Sequence, residues 1–530
     1  MLGRVSLRPW QAGLGGFVLA CVLMFPGLAS PWGRDLASIN GGYYMLSEMR
    51  AFEAAGYFEL KGIPHLGLLP TVPPIGHPYV HHPPGWPAFL YAFTRLTGLT
   101  PTALRLLPAI LTALSVGLLV GWMTRRGIWW PVSILVVATA PIISAYGAMP
   151  NPEASVQLIL IAALFLDDLR RDGARRLNAV LLTLAAIGPW MDWQGAFLAP
   201  AILLREILKP RAERKWQLPV IISAVTTLSC VGVITWIGHA SIHLDSIRML
   251  LLEGTKASSS AVPSVSLWDC LIEGLSHARL ISQGSATAPA STELGAWWST
   301  IYTSFDTLII WPFIPAVAVF AFTRHRGLIA ALAIPGILNI ALFRLHARQH
   351  DFWVIHLAPA SAWIVASILN HLKSRIEGRW HGLGVVLVLG TALGLATFRI
   401  TQLSAHRARD TSEPNESLAQ ALATIQRKDV AFASTTPLGT ASGYLRGFVI
   451  DLPPDRVPEL VALTSRGHLS KDIDIITPDT TALDSLRALA PSTVSFVRLP
   501  LTLGEPKDNA LRAWAGTDSL VRITIHTHRN

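Results

Sequence analysis

The sequence predicts a polytopic α-helical membrane protein, and three observations carry that reading. Of 530 residues, 51% are hydrophobic and only 14% charged, where soluble domains hold about 25% charge. Mean hydropathy is +0.44. The apolar residues gather in runs of about span length with short basic clusters between them. The net charge of +10 therefore reads as membrane topology rather than as a nucleic-acid surface. Cysteine is scarce. Cys21 and Cys230 lie in apolar runs and Cys270 in a loop, so no disulfide framework or CxxC metal motif is present.

The start has a basic segment, Arg4 to Arg8, before an apolar core. A cleaved signal peptide has the same shape. The apolar run continues almost to Trp32, long enough to cross a bilayer, so a retained first span is the expectation. Further apolar runs follow at 104–123, 129–147, 152–167, 177–191, 193–208, 217–238, 306–323, 327–343, 352–370 and 382–398. With the first at 12–31 they make about eleven spans. Basic clusters follow the even-numbered spans: Arg125-Arg126, Arg170-Arg171 with Arg175-Arg176, Lys209 to Lys215, Arg324 with Arg326, and Lys373 to Arg379. If the spans alternate, all of these share the N-terminal side, and the positive-inside rule makes that side cytoplasmic.

The outer side then receives the loop 32–103, three short turns, the loop 239–305 and the tail from Arg399. These segments hold the unusual polar residues: Asp35, His81-His82-Pro83-Pro84, Asn151, Glu153, Asp192, and His346 to Asp351. Ionisable residues at span ends are costly and need a reason. Pro83 to Thr97 is too short to span, and counting it as a span would reverse every later cluster. It reads as an interfacial helix, with Trp86, Phe89, Tyr91 and Phe93 suited to that depth. Gly41–Gly56 reads as a second one. From about Thr401 the chain alternates short strands and helices, which predicts an outer α/β domain over 401–530 beside a membrane domain over 1–400. No internal repeat is visible.

The first loop, with its acidic residue, two interfacial helices, His-Pro-Pro run and the "ALRLLP" that opens the next span, resembles the GT-C glycosyltransferases. More narrowly it resembles the family 39-like group, which includes protein O-mannosyltransferases and the lipid A aminoarabinose transferase. Three further stretches agree in order: "YGAMPNPEASVQLILIAALFL", "IGPWMDWQGAFL" and "RQHDFWVIHLAPASAWIVA". The outer α/β tail also has counterparts in that group. The resemblance implies a GT-C membrane fold. It also implies transfer of a sugar, with inversion, from a polyprenyl-phosphate donor to an acceptor lipid, glycan or protein outside the membrane. No nucleotide is involved, in keeping with the lack of a P-loop or GxGxxG motif. The expected location is the cell (inner) membrane, with the N-terminus cytoplasmic and the active site facing the periplasm or exterior. Membrane lipids are partners and nucleic acid is not.

Such a transfer needs a base at the acceptor hydroxyl and cations on the departing phosphate. The resemblance makes Asp35 the catalytic base. Asn40, nearer Tyr43-Tyr44, holds the acidic position in another alignment, and asparagine is no base. Glu48 is the reserve acid, although its place beside Arg50 also suits a surface pair. Arg105 and Arg348 are candidate phosphate ligands. His81 and His82 are candidates to bind the acceptor, the phosphate or Asp35. A divalent metal stays open, with His77 or His65 as further ligands. Asp192 suits sugar hydroxyls or a helix N-cap, and Glu153 a binding role or a first-turn position favoured by the helix dipole. His350 and Asp351 suit a binding pair. An alternative of another class is a transporter or flippase of lipid-linked intermediates.

Overall fold

The computed structural model describes residues 7–29, 45–69, 75–78, 82–138, 146–241, 325–342, 355–374 and 390, and in the tail 415–427, 430–434, 449–451, 472–477, 494–501, 511–512, 515 and 519–526. By compactness the chain divides into two units. One comprises Met1–Ala29, His81–Trp86 and Leu106–His406, the other Ser30–Val80, Pro87–Arg105 and Arg407–Asn530.

The first unit is helical. Its helices are α1 (Pro9–Ala29), then, after α2 (Ser47–Ala55) and α3 (Gly85–Thr97), α4 (Pro101–Arg125), α5 (Trp130–Ala138), α6 (Glu153–Arg171), α7 (Asn178–Met191), α8 (Leu198–Ile207), α9 (Gln217–Ser241), α10 (Arg326–Leu342) and α11 (Ala358–Ser374). Two of them, α4 and α9, are long and apolar enough to cross a membrane. Apart from 306–323 and 382–398, which lie outside the described residues save Gly390, each apolar run coincides with helix over most of its described part.

Lipid tails are as apolar as leucine, so close approach and side-chain fit hold such a bundle rather than water exclusion. Small residues supply that approach between α1 and α4. A Cβ on Gly13 would come 2.8 Å from the carbonyl oxygen of Gly117, and one on Gly16 would meet Val120 at 2.9 Å. Trp122 and Trp363 are fully buried and meet edge to face at 5.1 Å. On α9, by contrast, Val220, Leu228, Val231 and Trp236 are exposed, which suits a lipid-facing helix.

One end of this unit is ionic. Arg205 on α8 reaches Asp167 (2.9 Å) and Asp168 on α6. Asp168 also accepts from Trp122 Nε1 (2.8 Å) and Arg126 (2.5 Å). Arg171 joins Asp167 (2.7 Å) to Glu206 (3.0 Å), and Lys209 closes on Glu206 (2.8 Å). The basic ends of α4, α6 and α8 therefore meet at one end of the unit.

The second unit contains a five-stranded mixed sheet in the order β4-β3-β5-β7-β6. Its strands are β3 (Ala431–Ser434), β4 (Val449–Asp451), β5 (Ile473–Thr477), β6 (Val494–Pro500) and β7 (Ser519–Ile525). β3 runs parallel to β4 and β5, and β7 antiparallel to β5 and β6. Helix α12 (Asn415–Ile425) buries Leu418, Ala421 and Leu422 with Phe432 and Ile476. Arg427 forks onto Asp474, and that hydrogen bonding raises the guanidinium pKa further. His526 donates to Asp472 (3.2 Å) and accepts from Ser495 (3.0 Å), tying the ends of β5, β7 and β6 together.

The first-loop segments of this unit hold α2, the body of α3 and a hairpin, β1 (His65–Leu69) with β2 (Ile75–Pro78). Tyr57 stacks on Tyr91 at 5.8 Å, and Phe52 packs beside both rings. The expected surface position of Glu48 beside Arg50 is not what the structure shows. Arg50 pairs with Glu53 at 3.0 Å. Glu48 is fully buried with Met49 and Phe52, because one helical turn of three or four residues puts Glu48 and Phe52 on the same face.

Candidate active site

Four short segments meet at the end of the helical unit away from the ionic network. They are His82 to Trp86, Gly147 to Glu153, Asp192 to Phe197 and Ile355 to Leu357. Helix α6 links the two polar ends: Glu153 opens it, and Asp167 follows fourteen residues later, about 21 Å along a helix axis.

Local sequence explains how each segment is held. "HPPG" keeps the chain extended before α3, because a residue ahead of proline avoids the helical region. Gly85 then lets the chain touch the next segment, since a Cβ there would sit 2.5 Å from the Trp190 carbonyl oxygen. Trp86 Nε1 donates to Pro150 O at 2.9 Å, and Thr112 Oγ1 to Gly147 O at 2.8 Å. Those two bonds fix the turn that delivers Asn151 and Glu153. The Asp192 turn folds tightly onto α7. A Cβ on Gly195 would fall 2.1 Å from Gly188 O, so only glycine fits. Leu357 seats on Gly336 of α10, where a Cβ would meet it at 2.7 Å, and this sets the turn bearing His356.

The polar side chains converge on Asp192. Its Oδ1 lies 3.3 Å from His82 Nδ1. Glu153 is within electrostatic reach of both Asp192 and His82, and His356 within reach of Asp192. His356 Nε2 donates to Gln194 Oε1. Asp192, Glu153, Asn151, Gln194 and His356 are each at most 5% exposed, while the His82 side chain keeps 16%. Asp192 makes no side-chain cap bond to the turn it begins, so its bond to His82 replaces the N-cap role. Glu153 occupies the first turn of α6 as expected.

The structure thus joins His82, Asp192 and Glu153 of the expected residues. Arg105 is buried and belongs to the second unit. Asp35, His81, Arg348, His350 and Asp351 lie outside the described residues. Sequence reasoning missed Gln194 and His356. The available signal was slight: a glutamine two residues after Asp192, and a histidine in the apolar run "WVIHLAP". Among the described residues, no group of three or more His, Cys, Asp or Glu side chains is arranged to hold a metal ion. Chemically, the cluster offers two carboxylates and a partly open imidazole held by one of them.

No protein-family model and no curated protein matches the sequence. Solved structures do. The chain is similar to ArnT from Cupriavidus metallidurans bound to undecaprenyl phosphate, at 13% identity and a TM-score of 0.59 over 96% of this chain and 97% of that one. The same protein in the apo state gives 12% identity and 0.58 over the same shares. The Archaeoglobus fulgidus oligosaccharyltransferase in its apo form gives 14% identity and 0.48 over 95% of this chain and 71% of that one. The ArnT likeness covers nearly the whole of both chains and shows the fold: this chain is folded as ArnT is.

Proposed function

We propose that the chain is an integral membrane glycosyltransferase that moves a sugar from a polyprenyl phosphate to an acceptor lipid, glycan or protein, with inversion. The observation that carries this reading is the buried carboxylate–histidine cluster of Asp192, Glu153 and His82 at one end of a GT-C bundle. Buried ionisable groups at the end of membrane helices mark functional sites. ArnT, which shares the fold, binds undecaprenyl phosphate, and that supports a carrier of the same class here.

In this reading the chain crosses the cell membrane about eleven times, with its N-terminus in the cytoplasm and its site on the outer face. Residues 1–400 form the membrane domain and 401–530 an outer α/β domain. Asp35 is the base that takes the acceptor hydroxyl proton as that oxygen attacks the anomeric carbon. The bond from that carbon to the phosphate oxygen breaks on the opposite face. Arg105 and Arg348 stabilise the departing phosphate. His81, His82, Asp192, Glu153, His350 and Asp351 bind and orient the sugar or acceptor, which supplies proximity and alignment.

The test has two arms. A strain lacking the gene is expected to lose one sugar mass from its envelope glycans or glycolipids, restored by the wild-type gene but not by Asp35→Asn. The purified protein in detergent is expected to transfer sugar from undecaprenyl-phosphate donors, where a transporter does nothing without a sealed membrane. An unchanged envelope together with no transfer from any donor would sink the proposal.

A further inference from the structure

The site holds a chemical imbalance that neither the fold nor the transfer reaction explains. Asn151 Oδ1, both carboxylate oxygens of Glu153 and His356 Nδ1 are buried, and none bonds another described residue. All four are acceptors. Asparagine Oδ1 and a carboxylate accept by nature. His356 is an acceptor at Nδ1 because its Nε2 carries the proton donated to Gln194 Oε1. Gln194 is thus a positioning residue that sets the tautomer. Buried acceptors without donors cost stability and are retained where something else meets them.

We infer that Asn151, Glu153 and His356 form a binding site for a hydrogen-bond-donor-rich group, the hydroxyls of the transferred sugar, and that it excludes the carrier phosphate. The inference rests on the transferase reading and deepens it. A phosphate presents acceptor oxygens and negative charge, so it cannot satisfy these four acceptor atoms and is repelled by the Glu153 carboxylate. A sugar presents several hydroxyl donors on a small ring. The phosphate then belongs to the cationic side chains elsewhere, and this cluster reads what the carrier delivers. A site built to hydrogen-bond a hydroxyl rejects a ligand lacking it, because its own buried groups stay unpaired.

Purified protein in detergent is titrated with bare undecaprenyl phosphate and with a panel of undecaprenyl-phosphate pentoses and hexoses. The wild type is expected to bind at least one glycosylated carrier more tightly than the bare one. Asn151→Leu, Glu153→Leu and His356→Leu are each expected to reduce that preference about ten-fold, with bare-carrier affinity unchanged. Asn151→Asp and Gln194→Glu keep the acceptor oxygens and retain the preference. Because each leucine also removes an unsatisfied acceptor, the thermal midpoint is expected to hold or rise, which a merely structural role would not allow. The inference is overturned if both affinities fall together, if the midpoint falls with them, or if the preference is unchanged, which means that water fills the site. A preference abolished by EDTA and restored by Mn2+ also overturns it, in favour of a cation. A wild type that binds neither carrier fails differently: it removes the transferase reading itself.

Discussion

At the scale of single residues, the site turns on Asp192. It is almost wholly buried, and its carboxylate bonds His82 Nδ1. That bond fixes which ring nitrogen His82 presents to the rest of the site. Asp192→Ala is expected to leave His82 unheld and to lower kcat/KM for transfer about 100-fold, the scale of a misplacement of about 1 Å. Asp192→Asn keeps the shape and an oxygen acceptor, so a smaller loss is expected. Equal activity of Asp192→Ala and wild type in a purified transfer assay would remove Asp192 from the site. Sequence reasoning reached His82 and Asp192 because a charge beside proline or between short spans is conspicuous. It missed His356 because its partner Gln194 is 162 residues away, and no spacing rule spans that distance. Glu48 shows the converse. Its neighbour Arg50 suggested a surface pair, whereas the helical face it shares with Phe52 decided its burial.

At the scale of elements, α6 and α8 form a buried ion-pair seam. Arg205, with its side chain 10% exposed, sits between Asp167 and Asp168, which are nearly inaccessible. Removing one partner of a buried pair costs about 3–5 kcal/mol, and the lower end applies here because Asp167 keeps Arg170 and Arg171 and Asp168 keeps Arg126. Arg205→Leu is therefore expected to destabilise the protein by that order, read as a lower thermal midpoint in detergent. Replacing Asp167 and Asp168 as well should not recover the loss, because Arg126, Arg170 and Arg171 then lose those carboxylate partners. If Arg205→Leu leaves the midpoint unchanged, the seam does not hold α6 to α8. Most elements were legible: the apolar runs give the helices, and "DVAFAS", "GFVIDL", "DIDIITP", "TVSFVRL" and "LVRITIHT" coincide with β3 to β7. The β1–β2 hairpin was not. Its intervening "PTVPP" carries no two-residue hairpin turn signal of the Asn-Gly kind.

At the scale of the whole molecule, the grouping of residues 30–80 and 87–105 with 407–530 was beyond sequence reasoning, because loop and tail are separated by some 300 residues of chain. The orientation of the bundle is a separate matter of charge. The basic ends of α4, α6 and α8 meet in one ionic network, so they share a side whichever side that is. Positive residues are held back from translocation, and the proposed orientation therefore puts that side in the cytoplasm. Single positions, one half-buried and one exposed, report it directly. Arg214, just beyond α8, and Leu96 near the end of α3, 88% exposed, are replaced singly by cysteine in a chain freed of Cys21, Cys230 and Cys270. A membrane-impermeant thiol reagent applied to intact cells is expected to label Leu96→Cys at once and Arg214→Cys only after the membrane is opened. Labelling in the reverse order would turn the bundle over and put the Asp192 cluster on the cytoplasmic face. Labelling of both from outside would mean that α4 to α8 do not alternate as the basic clusters require.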